Sequence, residues 1–398
     1  MSNKNIILFG DNKVILNHTD LKDYCDKIKV IYIDPPYNTK LRKSYNDKTN
    51  SNLWLENITN SIQNSYKYLT EDGVMFISID DNEYAYLKIA CDNTFGKENF
   101  IGTFITQQSQ RSNSKLINTV HEYILCYAKN KKRVPEFKIK RLEIAEQKKL
   151  IQDLCKKIKD IFSTQGSKEA EKCLREEIKR ICKEENISWL KNYSSLDEKG
   201  NIYFGKDLST PSNPRKVDIP SINLHLAPLK TRGWSSDEKF IKLFNENKLV
   251  YKGKRPYEKH LLIDAEDSAP SMLNFYSRQG TNDLNKLNLR GIFDTPKPVN
   301  LIKFLIKLVA NDNDYVMDFF AGSGTTAQAV YEINKEHNKN LHYILIQLNE
   351  TIDEKSEIHK NCLKYGIKAN IPEILLLRIN TYLKQNNKEI DYEIKNIK

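Results

Sequence analysis

Asp34-Pro35-Pro36-Tyr37 is the segment of this chain whose residue types and spacing speak most directly of chemistry. It follows Val30-Ile31-Tyr32-Ile33, an apolar run that reads as a buried strand. In an open α/β sheet, ligands bind outside the carboxyl ends of strands, so a carboxylate there is aimed at a substrate. The two prolines remove two backbone donors and fix two φ angles, leaving the carbonyls of Asp34 and Pro35 as rigid acceptors. Tyr37 adds a flat stacking face. Carboxylate, carbonyl and aromatic plane together suit a planar base that carries an exocyclic amino group and has been drawn out of its stack. The bland alternative is an ordinary strand-to-turn transition, which Asp and Pro favour on conformational grounds alone.

A second constellation runs from Tyr315 to Thr326, a short apolar strand entering the turn Asp318-Phe319-Phe320-Ala321-Gly322-Ser323-Gly324 and then a helix. Gly322 and Gly324 allow the backbone close to a ligand, and Thr325 or Thr326 can cap the helix. A phosphate-binding Walker loop needs Lys after its last glycine, where Thr325 stands, and a dinucleotide fingerprint needs glycine where Ala327 stands. A plain tight turn explains a Gly-x-Gly equally well. The strand predicted at His342 to Gln347 ends near Glu350, about where an acidic residue takes ribose hydroxyls in doubly wound folds.

With both motifs in view, the sequence resembles the amino-group DNA methyltransferases of the beta group, in which the catalytic Asp-Pro-Pro-Tyr precedes the cofactor Phe-x-Gly-x-Gly. More narrowly it resembles the adenine-specific modification (Mod) subunits of type III restriction-modification systems. The likeness runs through Gly10-Asp11-Asn12, Ile77 to Glu83, His121 to Leu125, Phe293 to Pro298 and Gln347 to Glu350. It implies S-adenosylmethionine as cofactor and transfer of its methyl group to the N6 amino group of a flipped adenine. Asp34, Pro35, Pro36 and Tyr37 would be catalytic. Asp318, Phe319, Phe320, Ala321, Gly322, Ser323, Gly324, Thr325 and Glu350 would surround the cofactor, with Asp11, Asn12 and Lys297 near its ends. It also implies double-stranded DNA as substrate, a homodimer and a type III restriction (Res) subunit as partner. RNA adenine or DNA cytosine-amino transfer would use the same chemistry, although cytosine-amino enzymes more often carry Ser where Asp34 stands. A nucleic-acid-binding module that has lost activity is the reading from a different class.

Composition agrees with a polyanionic partner. The 398 residues carry 63 Lys and Arg against 52 Asp and Glu, a formal charge of +11. Coding bias and solubility also produce such a balance. The seven cysteines include no Cys-x-x-Cys pair, so neither a zinc site nor a disulfide framework is indicated, and a reducing cytoplasm is expected. No Cys follows a Pro, which excludes the Pro-Cys nucleophile of cytosine ring-carbon methylation. His121-Glu122 opens like a zinc-protease motif, but position 125 is Leu, and the pair reads as structural or supporting. Asp80 and Asp81 read equally well as structural caps. The run Ile6 to Phe9 is too short for a leader or a membrane span.

The elements that must position the two motifs are an α/β, doubly wound, mostly parallel sheet of the methyltransferase kind with an inserted region. Residues 1–130 are expected to form its catalytic half and 291–398 its cofactor half. Short strands (Val30–Ile33, Val74–Ile79) alternate with helices around Ile58–Leu69 and Tyr84–Cys91. Leu301, Leu305 and Leu308 mark a helix ahead of Tyr315, with Lys303 and Lys307 on its other face. The insert, 131–290, opens with a helical hairpin: Ile151, Leu154, Ile158 and Ile161 form one stripe, and Leu174, Ile178 and Ile181 the other. Ser163 to Ser167 divides them. The remainder mixes Gly, Pro, aromatic and basic residues and corresponds to a target-recognition segment in the resembled family. Lys230, Arg232, Lys252, Lys254, Arg255 and Tyr257 are its candidate DNA contacts.

Overall fold

The computed structural model describes residues 4–38, 50–107, 116–185 and 187–397. Its backbone divides into two compact units, 1–137 joined with 269–398, and 138–268. The insert is therefore shorter at both ends than the expected 131–290. At its far end, Met272–Tyr276 pairs with Phe100–Gln107 of the main sheet, which ties the chain from 269 onward to the first unit.

Among the described residues the first unit is built on nine strands, numbered in chain order: β1 (Asn5–Phe9), β2 (Ile28–Ile33), β3 (Leu69–Ile79), β4 (Phe100–Gln107), β5 (His121–Ala128), β6 (Met272–Tyr276), β7 (Tyr315–Asp318), β8 (His342–Gln347) and β9 (Tyr392–Asn396). They lie in the order β6-β4-β5-β3-β2-β7-β8-β1-β9. Only the pairings of β5 are antiparallel. The central strands are apolar along their length because both faces are covered, as parallel sheets require. Ile31, Met317, Ile344 and Leu8 share one cluster with Ile58 and Ile62 of the helix Ser51–Tyr66.

The pairing that matters for function is β2 with β7, where Val30 faces Val316 and Ile31 faces Met317. From β2 the chain moves to β3 on one side, and from β7 to β8 on the other. The sheet order thus reverses between β2 and β7, and their carboxyl ends open onto the crevice where such sheets bind ligands.

Three local expectations change. The helix over Ile58 begins earlier and stops at Tyr66, because Leu69 already pairs with Ile28 as the start of β3. Lys303 is not on a solvent face: it is 8% exposed and donates to Glu332 at 3.0 Å and also to Glu336. Its helix, Val299–Lys307, is covered on that side by Thr325–His337, whose acids supply the partners. The third change lies in the inserted unit.

That second unit carries the expected helical hairpin, Ala145–Gln165 and Ser167–Glu184. Its break is Gly166 alone instead of a loop from Ser163 to Ser167. Ile151, Leu154, Ile158, Leu174, Ile178 and Ile181 meet in one core, joined by Ile202 and Leu262. A four-stranded antiparallel sheet follows, ordered Leu249–Lys252, Arg255–Leu261, Ile202–Asp207 and Ser195–Leu196.

Among the described residues no helix is long and apolar enough to cross a membrane, no His/Cys/Asp/Glu group could hold a metal, and all seven cysteines are free.

Candidate active site

The loops leaving β2 and β7 line a single cavity of about 340 Å³. From the first come Asp34, Pro35 and Pro36; from the second, Asp318, Phe319, Phe320, Ala321, Gly322, Ser323 and Thr325. Asp11, Asn12, Lys297 and Glu350 also border it, so every expected cofactor residue except Gly324 lies on its wall.

Gly324 does a different job. Its φ of +80° is left-handed, and a Cβ there would meet Leu375 Cγ at 3.3 Å and Ile379 Cγ1 at 3.5 Å, on the helix Ile371–Gln385 behind the loop. It turns the chain into the helix Thr325–His337 and lets two helices pack closely. The expected threonine cap is also absent: the hydroxyl of Thr326 donates to Asp318 at 2.5 Å, and that of Thr325 accepts from Arg378 at 2.7 Å.

Asp318 is 2% exposed, and burial pushes its carboxyl up to about 7. The Thr326 hydroxyl and the Phe320 N–H oppose that rise, and the nearby Asp34 charge adds to it. The loop is held at two further points. The Gly322 N–H donates to Gln347 Oε1 at 2.7 Å. The fully buried Arg378 donates to Ser323 at 2.9 Å and to Gln328 at 2.9 Å, and burial brings its guanidinium down to about 10.

The Asp34 loop is equally constrained. The Trp54 indole donates to the Pro36 carbonyl at 2.7 Å. Tyr37, expected as an open stacking plane, is 7% exposed and does not line the cavity. Its ring packs in the core while its hydroxyl donates to Asp34 Oδ1 at 2.8 Å and lies 3.3 Å from Glu122 Oε2. Burial, then the Asp34 and Glu122 charges, push that hydroxyl well above the usual tyrosine range, so it stays protonated.

Lys297 borders the cavity, but its ammonium is turned to the Asp34 loop and not to the loop after β7. Nζ lies 3.3 Å from Asp34 Oδ1, 2.5 Å from Glu122 Oε2 and 2.5 Å from the Tyr37 hydroxyl. Burial works against its charge, yet the Asp34 and Glu122 carboxylates more than offset it and hold Lys297 above the usual lysine range.

Trp54, Glu122, Gln347 and Arg378 join the site without having been marked for it by the sequence. Glu122 and Gln347 carry the available signals, since both fall in segments of the family likeness and the His121-Glu122 pair reads as supporting. Asp80 accepts locally from Asn82, and Asp81 accepts from the Tyr123 hydroxyl on β5.

In the inserted unit, Lys252, Lys254, Arg255 and Tyr257 gather at one hairpin end, with Lys252 and Lys254 exposed. Arg255 departs from expectation: it is ion-paired with Asp207 at 2.8 and 3.0 Å, so its charge is already engaged. Lys252 Nζ sits 5.8 Å from the Tyr257 ring centroid. Lys230 and Arg232 belong to a separate loop, where Arg232 donates to the Ser209 carbonyl at 3.2 Å.

A family model described as DNA methylase matches residues 28–357. The chain belongs to this family. Its order of motifs, carboxylate loop first, is that of the beta group.

The Escherichia coli type III restriction-modification enzyme EcoP15I Mod subunit is 29% identical over 90% of this chain and 61% of its own length. The Escherichia phage P1 EcoPI Mod subunit is 28% identical over 98% of this chain and 64% of its own. The chain therefore spans somewhat over six-tenths of these relatives. The Klebsiella pneumoniae type II methyltransferase M.KpnI is 28% identical over 98% of this chain and 90% of its own. Among solved structures, the cytosine-N4-specific PvuII DNA methyltransferase aligns with a TM-score of 0.44 at 11% identity, covering 92% of this chain and 95% of that one.

Proposed function

We propose that the protein transfers a methyl group from S-adenosylmethionine to the N6 amino group of adenine in double-stranded DNA. The observation that carries this reading is that Asp34 and the loop after β7 border one cavity at the point where the sheet order reverses.

The amino nitrogen of adenine is a weak nucleophile because its lone pair is delocalised into the ring. Hydrogen bonds from its N–H groups to the Asp34 carboxylate and the Pro35 carbonyl draw it toward tetrahedral geometry and localise that pair. Asp34 also faces the positive charge that develops on nitrogen, and a preorganised carboxylate stabilises it without reorganisation at the moment of reaction. Pro35, Pro36 and the Trp54 bond fix the carbonyls. Tyr37 holds Asp34 through its hydroxyl, a positioning role instead of base stacking.

The cavity fits the cofactor in its donor set. Glu350 suits ribose hydroxyls, Phe320 and Phe293 offer flat apolar walls, and Gly322 presents backbone without a side chain. Asp11 and Asn12 close one side. When bound, S-adenosylmethionine supplies a methyl group on a sulfonium, so no enzyme nucleophile is needed.

Adenine is favoured over cytosine by the Asp at position 34. Lys252 and Lys254 are the phosphate contacts this reading would use, with Lys230 and Arg232 as further candidates. A restriction subunit as partner rests on the Mod names alone. Mass spectrometry of nucleosides after incubating the protein with DNA and S-adenosylmethionine tests the reading. N6-methyladenine is expected; N4-methylcytosine would favour the cytosine-amino alternative, and methylation of RNA only would refute DNA as substrate.

A further inference from the structure

Asp34 and Glu122 reach the same place from different parts of the fold, the end of β2 and the start of β5. The Tyr37 hydroxyl bridges them, 2.8 Å from Asp34 Oδ1 and 3.3 Å from Glu122 Oε2. Their side chains are only 26% and 13% exposed. Two half-buried carboxylates held around one hydroxyl ordinarily share a single proton, because both cannot ionise against each other. Two further titratable groups near Asp34 do not relieve this. Tyr32, on β2, is buried and neutral, and Asp318, on the neighbouring strand, adds negative charge when ionised.

Lys297 changes the balance. Its Nζ sits within 3.3 Å of one carboxylate and 2.5 Å of the other, and its side chain is 13% exposed. Resting on the function proposed above, we infer that Lys297 is a shared counter-ion that keeps both Asp34 and Glu122 ionised, so that Asp34 meets the amino group as a carboxylate. The unequal distances fit that role. Glu122 holds the ammonium more tightly than Asp34 does, whereas a lysine seated on Asp34 alone would compete with the incoming amine.

The backbone around Lys297 is built to keep it in place. The helix Arg278–Lys286 approaches so closely that a Cβ on Gly280 would lie 1.8 Å from the Pro296 carbonyl oxygen. One turn on, Asp283 accepts the Val299 N–H at 3.0 Å. Lys297 sits between these two anchors. By this account Lys297 and Glu122 are positioning residues that act through Asp34.

The test combines a carboxyl titration with a rate profile. Protein carrying 13C in its Asp and Glu side-chain carboxyls is titrated by NMR, and single-turnover methyl transfer to DNA is followed against pH. Four proteins are compared: wild type, Lys297→Met, Lys297→Arg and the double variant Lys297→Met/Glu122→Gln. In wild type, Asp34 and Glu122 should both be ionised well below neutrality. Lys297→Met should leave the pair sharing a proton, raising the acid limb of the rate profile by about one unit or more. Lys297→Arg should keep the limb near its wild-type position.

The double variant is decisive, because removing the second carboxylate should bring the limb back down although one more native group is gone. A merely structural lysine would give a double variant no better than the single one, and that result, or an unshifted Lys297→Met profile, overturns the inference. If Lys297→Met does not fold, Glu122→Gln alone carries the test: Asp34 should then titrate at or below its wild-type position, and a rise contradicts the shared-ion account. A wild-type protein that shows the paired carboxylates but transfers no methyl group to DNA supports the counter-ion and refutes the function reading.

Discussion

Replacing Asp318 by Asn should change how the stability of this protein depends on pH. Burial raises the folded carboxyl from 3.8 to about 7, despite hydrogen bonds from Thr326 and Phe320. A carboxyl raised on folding contributes stability that is fully present below the unfolded value and is lost as pH rises through the folded one. At about 1.4 kcal/mol per unit, that interval corresponds to roughly 4 kcal/mol of stability lost between pH 4 and pH 8. The substituted amide cannot ionise; its oxygen can still accept from the Phe320 N–H, and its amide nitrogen can donate to the Thr326 hydroxyl in place of the bond that Asp318 accepts. Urea unfolding of both proteins, followed by circular dichroism at a series of pH values, should therefore show the variant gaining on wild type as pH rises. Most of the gain should fall between about pH 4 and 7, in the absence of cofactor. A stability difference that stays flat across this range refutes the argument, because Asp318 would then already be ionised in the folded protein.

Other perturbations separate the parts of the site. Gly280→Ala should push the Pro296–Lys297 backbone away from Asp34 and lower methyl transfer at least tenfold; steady-state kinetics that match wild type would show the packing there to be compliant. Gly324→Val should destabilise the fold by about 1–3 kcal/mol through its left-handed backbone and the Leu375 contact, seen as a lowered midpoint in denaturant unfolding. An unchanged midpoint together with abolished cofactor binding would return Gly324 to the cavity wall. Charge reversal at Lys252 and Lys254 should lower the slope of log DNA affinity against log salt by about one unit for each phosphate no longer neutralised, measured by fluorescence anisotropy. The same change at Arg255 should first loosen its pairing with Asp207, so its effect is expected in stability before salt slope.

Much of the site was legible in the sequence because its parts are short and local. Asp34 and Asp318 end apolar runs, and the rule that ligands sit at the carboxyl ends of such strands needs no tertiary information. Their adjacency did need it, since β2 and β7 are neighbours only once the sheet forms. The residues that escaped act over distance. Glu122 reaches the Asp34 site from a remote segment, through Tyr37 and Lys297, and Lys297, expected near the cofactor, pairs instead with Asp34 and Glu122, a contact that its local pattern does not mark. Arg378 lies on a helix whose apolar face is otherwise regular, and its partners Ser323, Thr325 and Gln328 all belong to another part of the chain. Lys303 misled for the same reason: helical spacing puts it outside, but the acids of a second helix bury it. Gly324 matched the motif by its letters, while its neighbours show that it serves helix packing. Tyr37 likewise kept its place in the motif but not the exposure that stacking requires.

The central claim is that Asp34 presents a carboxylate to an adenine amino group in DNA. Long-read sequencing of DNA from a host lacking other methylases, expressing either the wild-type protein or Asp34→Ala, tests it most directly. N6-methyladenine is expected at one recurring sequence with the wild-type protein and none with Asp34→Ala, while the purified variant still binds S-adenosylmethionine within about tenfold of wild type. Methylated adenine persisting in the Asp34→Ala host, or a modified base other than adenine with the wild-type protein, would contradict it.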